Sequence, residues 1–308
     1  MFRDIQRRRI ELDYFITPDG KRLDLHNGAD MFLLDLSGTG MPPIQYIESR
    51  GPFQHGTTII DYRLDPRVMQ LILRGEACDR YDYWDLRANL LNYLRPNRQT
   101  TPGVLCPGVL RKILPGGATR DIDVFIQQGP AFTASVGDTR AVTEAILFVA
   151  PDPSFYDPVI VTNIWYIGVQ NNLIFPFTFP FTLGDTTIFS QQVINYTGTW
   201  LAYPTITITG PILSPEIRND TTGESIRLGY TVVAGETLTI ILKFGAKSVT
   251  SNPSGNAIAY ASGDIATFHI APDPEAPGGV NNITVIGSGA VVGVTAVTVS
   301  YYTRYIGY

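Results

Sequence analysis

Three histidines, two cysteines and a scatter of carboxylates are the groups in this 308-residue chain that could do chemistry. His26, His55 and His269 stand far apart, and none lies at a spacing that would pair it with a nucleophile or a second metal ligand. Core or surface imidazoles are the preferred reading. Cys78 and Cys106 have no neighbouring Cys or His at ligand spacing, which points to neither a zinc site nor a disulfide framework. Asp121 and Asp123 would share one face of a strand and could form a carboxylate pair, but nothing nearby suggests a cleft. Asp79, Asp82 and Asp85 could hold a cation, yet they open a helical pattern whose positive end explains them without one. Gly287, Gly289 and Gly293 have neither the spacing nor the βαβ surroundings of a phosphate cradle. The reading is a chain with no catalytic, metal or cofactor residues, and not an enzyme.

Recognition without catalysis is a different matter. Trp165, Trp200 and Tyr203 could stack on sugar rings, and they keep open an alternative: a carbohydrate-binding module or adhesin for host-surface glycans. Core packing is the preferred role for these rings. A jelly-roll glycoside hydrolase would need two carboxylates facing each other across a cleft, and the second half of the chain offers few. Arg7, Arg8 and Arg9 could touch phosphate or an acidic neighbour, but a solvated run is the simpler account.

Charge supports this. The formal net charge is -5, far from the basic balance of a phosphate-neutralising chain. Residues 1–150 carry 18 basic and 18 acidic groups, whereas residues 151–308 carry 5 and 10. That shift, with Pro151, Pro153 and Pro158 as stiff punctuation, predicts two domains, 1–150 and 151–308. No apolar run is long enough for a membrane span and no signal peptide is expected, so the Asn-X-Thr triplets at Asn195, Asn219 and Asn282 read as turn and strand-end residues.

The elements that would position these groups are mostly strands. Ile10, Leu12, Tyr14 and Ile16 alternate with polar residues, and Thr17-Pro18-Asp19-Gly20 turns the chain into Leu23 and Leu25, predicting a hairpin. Further period-two runs lie at 44–47, 57–64, 67–73, 109–114, 122–126 and 145–149. One segment differs: Tyr83, Leu86, Leu90, Leu91 and Leu94 recur at helical spacing, predicting a helix over 80–95 that ends at Pro96. The first domain then reads as a small β-barrel with one helix and a long hairpin. In the second, alternation at 206–208, 226–232, 238–242 and 297–301 with short turns predicts a β-sandwich or jelly roll. Phe175, Phe177, Phe179 and Phe181 alternate with Pro and Thr, which puts four rings on one face of a segment that cannot be a central strand.

Several strings stand out in the first half: Gly51-Pro52-Phe53-Gln54-His55-Gly56, Arg63-Leu64-Asp65-Pro66-Arg67, and Asp85-Leu86-Arg87 through Leu94-Arg95-Pro96. In the second half they are Phe175 to Pro180, Pro204-Thr205-Ile206 with Gly210-Pro211, Ile217-Arg218-Asn219 with Thr222-Gly223, Ala234-Gly235-Glu236, and Pro277-Gly278-Gly279-Val280-Asn281. Together, in this order, they resemble the distal tail protein family of long-tailed, non-contractile (siphovirus-type) bacteriophages. The resemblance implies a structural subunit of the virion tail tip (baseplate), made in the host cytoplasm, whose copies form a homohexameric ring. Its implied neighbours are the tail tube protein, the tape measure protein, and the tail hub and fibre or receptor-binding proteins. DNA would pass through the lumen without sequence-specific binding. It also implies a ring-forming first domain, a galectin-like sandwich as the second, and no cofactor. Edge strands of the hairpin at Ile10, Leu12, Tyr14 and Ile16 are the expected ring interface. The segment 287–308 exceeds what a compact sandwich needs, and is expected to be an arm or a strand returning to the first domain.

Overall fold

The computed structural model describes residues 13–96, 98, 103–132, 140–167 and 187–308. They fall into two compact units: one holds the residues up to Pro158 together with Tyr305–Tyr308, the other Val159–Arg304. The division lies inside the strand Phe155–Tyr166, beyond Pro151 and Pro153, and the last four residues go with the first unit.

The first unit is organised by the strand Arg67–Glu76, whose alternate residues Met69, Leu71 and Leu73 are fully buried while Gln70, Arg74 and Glu76 face out. It pairs antiparallel with Met31–Ser37 on one side and Ala141–Ala150 on the other. The path continues through Thr119–Gln128, Gly108–Ile113 and Asp13–Ile16 to Arg22–Asp24. A register shift between Ile126 and Gln128 turns it, as an extra residue does by unpairing the ladder locally. Among the described residues no ladder joins Arg22–Asp24 to Met31–Ser37, so the strands curl around their core as an open run.

The helix Arg80–Leu94 closes that core. Asp79 caps it, Oδ1 accepting from the amides of Tyr81 and Asp82 at 2.7 and 2.9 Å. Tyr83, Leu86, Leu90 and Leu94 form the buried stripe against Phe15, Leu73, Ile122 and Phe148, each worth about 1.5–3 kcal/mol of burial. Leu91, read from its spacing as part of that stripe, is exposed.

The second unit has two antiparallel sheets. One runs Gly255–Asn256, Ser248–Ser251, Thr237–Ile241, Thr205–Thr209, Ala296–Tyr305; the other runs Thr187–Asn195, Val280–Ser288, Ile212–Asn219, Glu224–Leu228, Ala261–Gly263. Ile206, Ile208, Leu238, Ile240 and Val297 from the first meet Ile217, Ile226, Ile283 and Val285 from the second in one core. The residues between them, on the other face, are threonines: Thr207 pairs with both Thr298 and Thr239, and Thr239 with Thr250. Strict alternation of Ile and Thr is what makes a strand with one dry face and one wet one.

Candidate functional site

Two of the carboxylates and two of the histidines hold the fold. Asp121 receives two bonds from Arg111, both 2.6 Å, and Asp123 accepts from the Tyr156 hydroxyl at 2.7 Å. His26 lies edge-on to Phe32. In the second unit His269 Nε2 bonds Glu275 at 2.9 Å, while Nδ1 faces the Thr267 carbonyl at 2.9 Å and Glu224 at 3.1 Å. Burial alone would push this imidazole down. The Glu224 carboxylate, the Thr267 carbonyl and Glu275 outweigh it and raise the pKa to about 9. Among the described residues no cluster of His, Cys, Asp and Glu is arranged to hold a metal ion, and no helix is long and apolar enough to cross a membrane.

Two residues from separate sequence strings meet inside the second unit. Asn219 and Asn281 are fully buried; Asn219 Nδ2 donates to Asn281 Oδ1 at 3.1 Å and to the His269 carbonyl at 3.0 Å. Asn281 in turn donates to the carbonyls of Ala271 and Gly279 and accepts from the Ala271 amide. Such a pair ties three loops together, and leaving one group unpartnered costs roughly 1–3 kcal/mol. Glu236, from the Ala-Gly-Glu string, accepts from Tyr230, Ser251 and the Val233 amide.

Of the rings considered for sugar stacking, one is in the core and two are half-buried. Trp165 is part of the core, 7 % exposed, and it cannot present a face to a glycan. Trp200 is half-buried, its amide and carbonyl bonded to Arg304 and to the Tyr196 hydroxyl. Tyr203 stands edge-on to Phe244 at 4.7 Å, with the Lys247 ammonium 5.4 Å from its centroid.

Of the strand expected at the ring interface, the described residues are paired on both sides. Tyr14 pairs with Asp24 on one side and Arg111 on the other, and Ile16 with Arg22 and Val109. Their strand is interior and its backbone donors are engaged, so it has no free edge for a second copy. Ile10, Leu12, Arg7 to Arg9 and Phe175 to Phe181 lie outside the described residues.

Open edges among the described residues lie at Arg22–Asp24, where that run ends, and on a separate hairpin. Ile44–Ser49 and Thr58–Leu64 form a two-stranded antiparallel hairpin that pairs with no other strand among the described residues. Tyr46 faces Tyr62, and Ile47, Ile59 and Ile60 are exposed, Ile60 at 65 %. Because Ile59 and Ile60 are adjacent, both faces of the ribbon carry apolar groups. The root is closed by the Asp65 amide on the Pro43 carbonyl at 2.9 Å. At the tip, Gln54 accepts from the Gly51 amide and donates to Thr58, while its own amide bonds Gly51 O. This turn holds Phe53 fully exposed at a φ of 68°, a conformation that costs a non-glycine residue about 1 kcal/mol. The Gly-Pro-Phe-Gln-His-Gly string is that tip. Sequence periodicity located both strands, and the adjacent isoleucines were the available sign that neither face is a core face.

Residues 197–305 match the model of the siphovirus-type tail component, C-terminal domain. Among solved structures the chain is similar to the SPP1 Dit (gp 19.1) protein, described as a paradigm of the hub adsorption apparatus in phages infecting Gram-positive hosts. The TM-score is 0.57 at 12 % identity, over 95 % of this chain and 98 % of that one. It is similar also to a chain of the phage p2 baseplate in its activated conformation with Sr, with a TM-score of 0.46, 11 % identity, and 94 % and 98 % covered. No curated protein matches at the sequence level.

Proposed function

We propose that this chain, which has the fold of a distal tail protein and a siphovirus-type tail-component domain at 197–305, is a structural subunit of a phage tail tip. In this reading copies close into a hexameric ring that joins the tail tube to the hub and adhesion apparatus, and DNA crosses the lumen without sequence-specific binding. The tape measure protein, the tail hub and fibre or receptor-binding proteins are its neighbours. The chain contributes shape, not catalysis.

The observation that supports assembly most directly is the hairpin 44–64. A two-stranded ribbon is marginal in water, and one with two open edges and apolar side chains on both faces is a surface awaiting a partner. A neighbouring copy would cover it, and in a head-to-tail arrangement the rotation closes a ring. Replacing Ile60 and Tyr62 together by Lys should abolish assembly of the full chain, read by native mass spectrometry, while the thermal midpoint of the monomer stays within about 2 °C, because neither side chain touches a core. A wild-type protein that stays monomeric at every concentration would refute the ring, and a double variant that still assembles would move the interface elsewhere.

A further inference from the structure

Arg67 is the bulkiest fully buried side chain of the described residues. It follows the outgoing strand of the hairpin at Asp65-Pro66, and its guanidinium is divided among three stretches of backbone. Nη1 donates to the carbonyls of Gly38 and Gly40, Nε to that of Pro153 at 2.8 Å, and Nη2 to that of Ile306 at 2.6 Å. The Phe155 ring lies 4.8 Å from the guanidinium carbon. Gly38 and Gly40 lead into Ile44, so one side chain grips both roots of the hairpin: the incoming one through its carbonyls, the outgoing one by covalent continuity.

Its remaining acceptor belongs to Tyr305–Tyr308, which is seated on the same loop. The Arg120 guanidinium stacks 3.5 Å from the Tyr305 centroid, and Tyr308 packs edge-on to Phe155 at 4.8 Å. Gly307 is so close to the loop that a Cβ would stand 2.8 Å from the Gly40 carbonyl oxygen and 3.0 Å from that of Thr39. A lysine could not serve all these acceptors, since only the planar fork spreads its donors over directions this far apart.

We propose that Tyr305–Tyr308 is a latch for the hairpin: docked, it completes the Arg67 fork, holds the Gly38–Gly40 loop and sets the direction in which the hairpin projects. Released, it leaves a buried donor unpaired, so the tail and the hairpin root are energetically coupled. Arg67 is then the positioning residue of the assembly surface. The coupling stands on the first unit's geometry alone; only its consequence for assembly rests on the ring reading.

Hydrogen exchange on the full chain tests it, comparing wild type with Arg67→Lys, Gly307→Val and the double variant. Gly307→Val dislodges the tail while leaving the Arg67 side chain itself unaltered, and Arg67→Lys keeps a buried cation in place of the fork. Each single variant should raise exchange over residues 36–43 by about tenfold or more, leave the strands Thr205–Thr209 and Thr237–Ile241 at wild-type protection, and reduce the assembled fraction in native mass spectra. The double variant should be no worse than either single one, because both break the same link. Exchange at 36–43 within about twofold of wild type in Gly307→Val, or additive effects in the double variant, would overturn the latch. A loosened root with an undiminished assembled fraction would overturn its role in aiming the hairpin. A wild-type chain that never assembles refutes the ring and leaves the latch to be judged by exchange alone.

Discussion

His269 is the residue whose titration should be visible in stability. Buried between Glu224 and Glu275, with Lys247 held nearby on the Ile265 and Ala266 carbonyls, it has a folded pKa of about 9 against an ordinary 6.5. A raised pKa means the folded state binds the proton more tightly than the unfolded one. The stabilisation is therefore complete below about pH 6.5 and is lost as pH rises through about 9. Denaturant unfolding of the second unit should lose roughly 2–3 kcal/mol between pH 6 and pH 10 from this group. His269→Gln should flatten that slope, and an unchanged slope in the variant would show that other groups govern the alkaline limb. Glu224 governs the opposite limb: burial would raise its carboxyl, but His269 and Thr267 bonding lowers it, so its contribution is present at neutral pH and lost in acid.

Turns decide how the elements meet, and the Pro277-Gly278-Gly279 turn separates two kinds of glycine. Both have positive φ, 66° and 71°, but a Cβ on Gly278 would find only a Val280 methyl at 4.0 Å, whereas one on Gly279 would stand 2.0 Å from the Tyr196 carbonyl oxygen. Gly278→Ala should cost about 1 kcal/mol, the left-handed penalty alone. Gly279→Ala must in addition push apart the Tyr196–Gly279 backbone contact, and should cost about 3 kcal/mol or more by equilibrium unfolding. Equal costs would mean that the turn has room to shift. Whether a strand's edges are free is decided at the same scale. Alternation reports which face of a strand is apolar, but not whether its edges are taken, and Asp13–Ile16 has neighbours on both sides while Ile44–Ser49 and Thr58–Leu64 have only each other.

For the molecule as a whole, the two units predict unequal independence. Residues 159–304 contain their own two-sheet core, so that fragment should fold alone with a cooperative melt. Residues 1–158 lack the Tyr305–Tyr308 segment that fills the Arg67 fork, and should be less stable than the same unit in the full chain. A 1–158 fragment as resistant to denaturant as the intact unit would show that the segment contributes nothing to it. What the amino-acid order determined by itself is local: the helix and its Asp79 cap, the Ile-Thr strands, the mainly β character, and the strings that resemble tail proteins, all of which depend on residues within a few positions of one another. The strands Met31–Ser37, Phe155–Tyr166, Thr187–Asn195 and Val280–Ser288 escaped such reading, their polar or mixed residues giving no clean period. Tertiary structure alone decided that Arg67 reaches Ile306, that Asn219 meets Asn281, and that Trp165 is core. Contacts across tens or hundreds of residues form only when the sheets close, and nothing in the local pattern records which partner will be there.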